Sequence, residues 1–324
     1  MCRVIYVVFC VLLSVACSDH GSDAQDTDLI HFAGICDGSA AVRIGSDKLL
    51  VAYDENNSLY LYSSIGGQPE AEFPYQELLK INAKEVDIEA AAVVSDGVWW
   101  VGSHGRDGDG DVAPNRRLLF KTVLPQKTDQ QLRLLQPAID LYPILTESPL
   151  SKSFLTEKVL RKKPKKGGLN VEGLVAESDD SLLLGFRSPL TKDNHALIAQ
   201  LEKKTDTFVV KKFWQLDLGN RGIRDIQRTG EDYILIAGDV DSGGVSALYR
   251  WRPDSKANVL THLDRTLNPE ALVKFKDYWL VLSDDGKMQR QGRDSCDEIA
   301  EERSSDKKVY FRAIKITDDS LADK

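Results

Sequence analysis

Short apolar runs, each broken by a tight polar turn, recur along most of the chain, and the runs come in sets. A set opens with an acid before small or apolar residues: Asp37-Gly38-Ser39-Ala40-Ala41, Glu89-Ala90-Ala91-Ala92-Val93, Glu172-Gly173-Leu174-Val175, Asp225-Ile226 and Glu270-Ala271-Leu272-Val273. A second strand follows each time, as in Val98-Trp99-Trp100-Val101-Gly102 and Tyr278-Trp279-Leu280-Val281-Leu282. The turns between carry Gly, Ser, Asp and Lys, residues that favour tight reversals. A third strand comes next, for example Leu59-Tyr60-Leu61-Tyr62 and Ala247-Leu248-Tyr249-Arg250-Trp251. A more polar fourth, such as Phe208 to Phe213, often ends the unit. Repeated four-stranded antiparallel units rich in aromatic and β-branched residues predict an all-β fold, a single β-propeller.

Five units are counted, and a degenerate sixth blade has room in the long insertion at 125–168, which carries a helix-like stretch from Ser151 to Arg161. The last unit ends at its third strand, Val309 to Arg312. The segment Asp28 to Phe32 is placed to supply the missing outer strand and close the ring. An open β-sandwich is the other arrangement this pattern allows.

The first residues read as an address. Arg3 precedes the apolar run Val4 to Val15, too short for a spanning helix of roughly 20 residues and suited to a signal peptide, residues 1–16. Cutting after Ala16 leaves Cys17, which resembles a lipidated cysteine; a polar tether, 17–27, follows. The expected domain is 28–317 and the expected disordered tail 318–324. The protein is thus expected to be exported and lipid-anchored in the cell envelope, touching membrane through that anchor only. Cys36 and Cys296, near the two ends of the ring, are either a disulfide permitted by an oxidising compartment or two buried thiols.

The net charge of −8 over 324 residues argues against nucleic acid as a partner. It leaves the oligomeric state open.

In a blade the start of the first strand neighbours the end of the second. Asp37, Glu89, Glu172, Arg224, Asp225 and Glu270 should therefore share one face with Asp54, His104, Arg106, Arg187, Asp239, Asp284 and Asp285. Like charges this close need compensation. Arg106, Arg187, Arg221 and Arg224 can supply it by stapling blades, or by gripping an anionic ligand together with Asp284. A hard cation such as calcium or magnesium, held by Glu89, Glu172, Asp225 and Glu270, is the other source. His104 and Asp285 are the candidate proton carriers. Asp107-Gly108-Asp109-Gly110-Asp111 looks like the front of a calcium loop, but Leu118 stands where an EF-hand has its twelfth-position acid, so a surface loop is expected. The basic run Arg161 to Lys166 reads as a solvated loop or a polyanion contact.

The segments Gly102 to Arg106, Asn115 to Phe120, Asn170 to Leu174, Gly185 to Leu190, Asp217 to Asp225, Asn268 to Leu272 and Leu282 to Gly286 together resemble bacterial domain-of-unknown-function family 3616. The likeness runs from about Gly34 to Phe311. More distantly the chain is similar to esterase-like phytase and gluconolactonase propellers, which implies a metal-assisted hydrolase with its site at the channel mouth. Two functions follow as expectations. One is a binding propeller for an anionic ligand, glycan or envelope protein. The other is a calcium- or magnesium-assisted hydrolase of an anionic phosphoester, ester or lactone.

Overall fold

A computed structural model describes residues 29–53, 55–81, 85–123, 131–241, 243–290, 294–301 and 309–321. The expected signal peptide, Cys17, the tether, Asp28 and Asp54 lie outside the described residues.

Five four-stranded antiparallel sheets make five blades. The first strand, β1 (Leu29–Ala33), belongs to the last blade. Blade 1 is β2 (Ala40–Ile44), β3 (Lys48–Tyr53), β4 (Ser58–Ser63) and β5 (Ala71–Pro74). Blade 2 is β6 (Ile88–Val94), β7 (Gly97–Gly102), β8 (Leu118–Thr122) and β9 (Ile139–Asp140). Blade 3 is β10 (Asn170–Ser178), β11 (Ser181–Ser188), β12 (Ala196–Lys204) and β13 (Thr207–Leu216). Blade 4 is β14 (Gly222–Thr229), β15 (Asp232–Gly238), β16 (Ala247–Trp251) and β17 (Asn258–His262). Blade 5 is β18 (Pro269–Lys274), β19 (Tyr278–Ser283) and β20 (Tyr310–Thr317), with β1 paired to β20 as the outer strand that closes the ring.

The core is divided among the blade interfaces, because each sheet is apolar on both faces and covers its neighbour's. Trp99 of blade 2 meets Phe208 of blade 3 edge-on, with ring centroids 5.5 Å apart. Trp214 and Trp251 do the same between blades 3 and 4, at 5.5 Å. Phe32, Tyr62 and Phe311 pack where blade 5 meets blade 1. Closure is reinforced by a disulfide between Cys36 and Cys296, whose Cα atoms are 5.7 Å apart.

The insertion is not a sixth blade. It gives blade 2 its two-residue outer strand, then folds as two short helices, Leu141–Glu147 and Glu157–Leu160. Leu141, Leu145 and Leu155 sit in the apolar cluster between blades 2 and 3, so the segment covers an existing seam. The helix expected over Ser151 to Arg161 shrinks to its second half. Thr156 caps the first turn with its hydroxyl, and the Ser151 hydroxyl is taken by carbonyls of the preceding turn. The expected tail is ordered over Asp318–Leu321. Leu321 is buried between blades 4 and 5, and the Trp279 indole donates to Asp318 at 2.9 Å.

Candidate functional site at the channel mouth

The inner strands of blades 2 to 5 share one irregularity. Register slips between Ile88 and Ala90, Val171 and Gly173, Ile223 and Asp225, and Pro269 and Ala271. The residues skipped in the strand register at these bulges are Glu89, Glu172, Arg224 and Glu270. A β-bulge re-aims the extra side chain and is common beside active sites. Four charged side chains therefore hold corresponding places on four successive blades. Glycine permits the approach of blades 3 and 4 here: a Cβ on Gly222 would lie 1.9 Å from the Arg187 carbonyl oxygen.

This register corrects the alignment of Asp225 with the other repeat acids. Arg224 holds the bulge position, and a one-residue step reverses the face of a strand. Asp225 is buried between blades 4 and 5, where its carboxyl accepts the backbone amides of Ile226 (2.7 Å) and Leu272 (2.6 Å). Burial, partly offset by those amides, raises its pKa to about 8.

The channel mouth encloses about 550 Å³. Among the described residues, nine acids line it against six bases: Asp37, Glu55, Asp87, Glu89, Asp239, Glu270, Asp284, Asp285 and Asp297 on one side and Lys165, Arg187, Arg224, Arg265, Lys287 and Arg312 on the other. Its arginines are largely committed. Arg187 donates to Glu172 at 2.7 Å and Arg224 to Glu270 at 2.7 Å. Arg312 grips both oxygens of Asp285, at 2.7 and 2.8 Å, and Ser283 donates to the same carboxylate. Asp285, expected to carry protons, is thus locked in a buried ion pair with its oxygens already occupied.

Glu270 is different. Arg224 engages its Oε1, Asn268 approaches the same oxygen at 3.4 Å, and Asp284 stands beside it. Burial first, then the Asp284 charge, raises the Glu270 pKa to about 8, against the opposing pull of Arg224. Asp284 accepts from Asn268 at 2.8 Å and from the Gly286 amide at 2.8 Å. Burial also lifts Asp87 to about 6, although Arg116 lies 2.8 Å away. Burial opposes the Arg187 charge, but Glu172, Glu270 and Glu89 hold its pKa above the ordinary arginine value.

Other expected members of the site lie elsewhere. His104 is buried in a small separate pocket with Arg106 and Tyr142; its Nδ1 faces the Gly102 carbonyl at 2.7 Å, and burial lowers its pKa to about 4. Arg106 is spent on the carbonyls of Leu160 (2.9 Å) and Gly110 (3.0 Å), where it ties the insertion down. Arg221 braces a loop through the Val245 carbonyl at 2.9 Å. In the Asp107 loop, Asp107 Oδ1 accepts the amides of Asp109, Gly110 and Asp111. Among the described residues, no group of three or more His, Cys, Asp or Glu side chains is placed to hold a metal ion. Of the four acids expected to share a cation, Glu172 and Glu270 face arginines, Asp225 faces backbone amides on another wall, and Glu89 and Glu270 line the mouth. The four do not fit a common cation.

Sequence reasoning missed Asp87, Glu55, Arg265, Lys287, Asp297 and the role of Arg312. For Arg312 a signal existed: a charged residue between the apolar Phe311 and Ala313 of a strand implies a buried partner. Asp87, Glu55, Arg265 and Lys287 come from loops and Asp297 from the short helix Cys296–Glu301, segments outside the strand repeat.

The chain belongs to the family described as "Protein of unknown function (DUF3616)", which matches residues 37–110 and 121–278. No curated protein matches it. Solved structures similar to it include the glutaminyl cyclase of Myxococcus xanthus, 8% identical, with 88% of this chain and 93% of that one covered and a TM-score of 0.45. A PQQ-bound aldose sugar dehydrogenase of Streptomyces coelicolor is 9% identical, with 89% and 99% covered and a TM-score of 0.45. An exo-β-1,3-galactanase of Phanerochaete chrysosporium, with galactose, is 11% identical, with 88% and 60% covered and a TM-score of 0.45. Similarities of this size carry no information about chemistry.

Proposed function

We propose that this member of the family is a hydrolase whose site is the channel mouth, acting on a small neutral polyhydroxylated molecule such as a glycan or a lactone. The observation that carries the reading is a pair of carboxyl groups at the wall of the mouth: Glu270, held by Arg224 and pushed toward its acid form by burial, and Asp284, joined to it through Asn268. Two neighbouring carboxyl groups, one of them buried so that its acid form is favoured, suit acid–base hydrolysis. Glu270 would give its proton to the leaving oxygen, and Asp284 would take one from the attacking water. Arg224 and Asn268 hold Glu270 in place. The mouth's excess of acids and its engaged arginines favour a neutral ligand over the anionic one suggested by the arginine count. A purified protein inert on a panel of glycosides and lactones, yet binding their hydroxylated products at the mouth, would replace this reading with a purely ligand-binding one. That second reading is favoured by the ion pairs Arg187–Glu172 and Arg312–Asp285, which brace blades rather than stand open. Attachment to the envelope through Cys17 belongs to the same proposal. Cys17→Ser should move the protein from the membrane to the soluble fraction.

A further inference from the structure

The mouth does not end at its rim. A shallower polar groove of about 510 Å³ is lined by Lys165, Lys166, Leu190, Asn194, Asn220 and Asp241, and it shares Lys165 and Asp239 with the mouth. The two cavities therefore adjoin at Lys165 and Asp239, and the groove leads away from the mouth over blades 3 and 4. Each is within the roughly 300–1,000 Å³ of ordinary ligand sites. On the opposite side the mouth is walled by Asp284, Asp285, Lys287, Met288 and Asp297. That wall is tied across by Cys296 N to Met288 O (3.1 Å) and by the disulfide to Cys36.

The walls of the groove are built rather than loose. Lys165 and Lys166 lie on a single 3-10 turn, Pro164–Lys166. The Ser188 hydroxyl fixes that turn through the Gly168 carbonyl, at 2.5 Å, and Lys163 reaches back to the Gly108 carbonyl. Gly168 must be glycine, because a Cβ there would lie 2.1 Å from the Lys162 carbonyl oxygen. The loop carrying Asn194 is closed by the His195 amide on the Thr191 hydroxyl (3.0 Å). The loop carrying Asn220 is braced by Arg221 on the Val245 carbonyl. Exposed lysine and asparagine side chains on braced loops supply donors and acceptors for hydroxyl groups.

We infer that the ligand is an oligomeric, polyhydroxylated chain bound by its end, with the terminal unit in the mouth and the next unit in the groove. The proposal rests on the mouth being the site and names its substrate class. It makes Lys166, Leu190, Asn194 and Asn220 specificity determinants for chain length, and it gives Arg221 the work of shaping their wall.

The test is calorimetric binding of neutral oligosaccharides of one to four units from a glycan panel, to the intact protein and to two variants. Leu190→Trp fills the groove and Lys166→Ala removes a donor; neither residue lines the mouth. The expected result is a fall in Kd of about tenfold, near 1.4 kcal/mol, from monomer to dimer, with little further gain. Leu190→Trp should abolish the gain and Lys166→Ala should reduce it, while monomer affinity persists in both. Equal affinity for monomer and dimer, or a gain that survives Leu190→Trp, overturns the inference and leaves the mouth reading standing. Absence of binding for every length overturns both.

Discussion

Arg224 and Glu270 occupy corresponding bulge positions on the inner strands of neighbouring blades, and their side chains meet at 2.7 Å. The pair is nearly closed off from solvent on the arginine side, whose side chain is 3% exposed, while Glu270 stays at the wall of the mouth. An arginine beside a carboxyl normally favours its charged form. Here burial and Asp284 outweigh it, so the carboxyl holds its proton to about pH 8.

Glu270→Gln should lower hydrolysis by about 10²–10⁴-fold, the usual contribution of a general acid, with the fold intact by circular dichroism. In the wild type the acid form is the active one. The rate should therefore fall as pH rises through about 8, and that limb should vanish in the variant. A rate indifferent to the substitution would remove Glu270 from the chemistry.

Asp225 should make stability depend on pH. Its pKa is raised on folding from 3.8 to about 8, so between those values the folded state holds a proton that the unfolded chain has released. Its stabilising contribution is complete below about pH 4 and is lost as pH rises toward 8. Urea denaturation across this window should show that slope, and Asp225→Asn should flatten it. The variant should also lose about 1–3 kcal/mol, because its amide group faces a backbone donor that a carboxyl oxygen accepted.

Arg312→Ala leaves Asp285, 2% exposed, with Arg290 at 3.9 Å as its remaining cation. The expected loss is no more than about 3–5 kcal/mol, the cost of breaking a buried ion pair. The double variant Arg312→Ala with Asp285→Asn should lose less than Arg312→Ala alone, and the single Asp285→Asn completes the set. Chemical denaturation of all four forms closes the cycle; additive losses would mean that the pair does not act as a unit.

Cys36→Ser should cost about 2–5 kcal/mol, the typical value for a lost native disulfide, because the bond spans 260 residues and joins the ring's beginning to its end. Melting temperatures with and without reductant read this directly: reductant should lower the wild type toward the variant and leave the variant unmoved. Ligand affinity at the mouth should fall as well, since Cys296 anchors the wall containing Met288 and Asp297.

The repeat was legible because blade strands are governed by local rules. Alternation, β-branched and aromatic residues and Gly/Asp turns locate β3, β7, β11, β15 and β19 without reference to the rest of the chain. The meeting of first-strand starts with second-strand ends was legible too, since antiparallel pairing dictates it: Asn170 faces Ser188 and Pro269 faces Ser283. Ring closure by β1 followed from the missing outer strand of the last unit.

The sequence by itself therefore determined the architecture and the face on which charge collects. Tertiary structure decided the membership of the site. Arg224 and Asp225 are adjacent charged residues, and only the bulge between Ile223 and Asp225 settles which one takes the channel position and which one pins Leu272 of the next blade. His104, Arg106 and Arg221 stand at the right ends of the right strands, but their partners are carbonyls of Gly102, Leu160 and Val245, contributed in part by segments far away in the chain. Local pattern fixes where a backbone runs. The partner of a buried charge is set by whichever distant group reaches it when the blades close, and that is a property of the assembled ring.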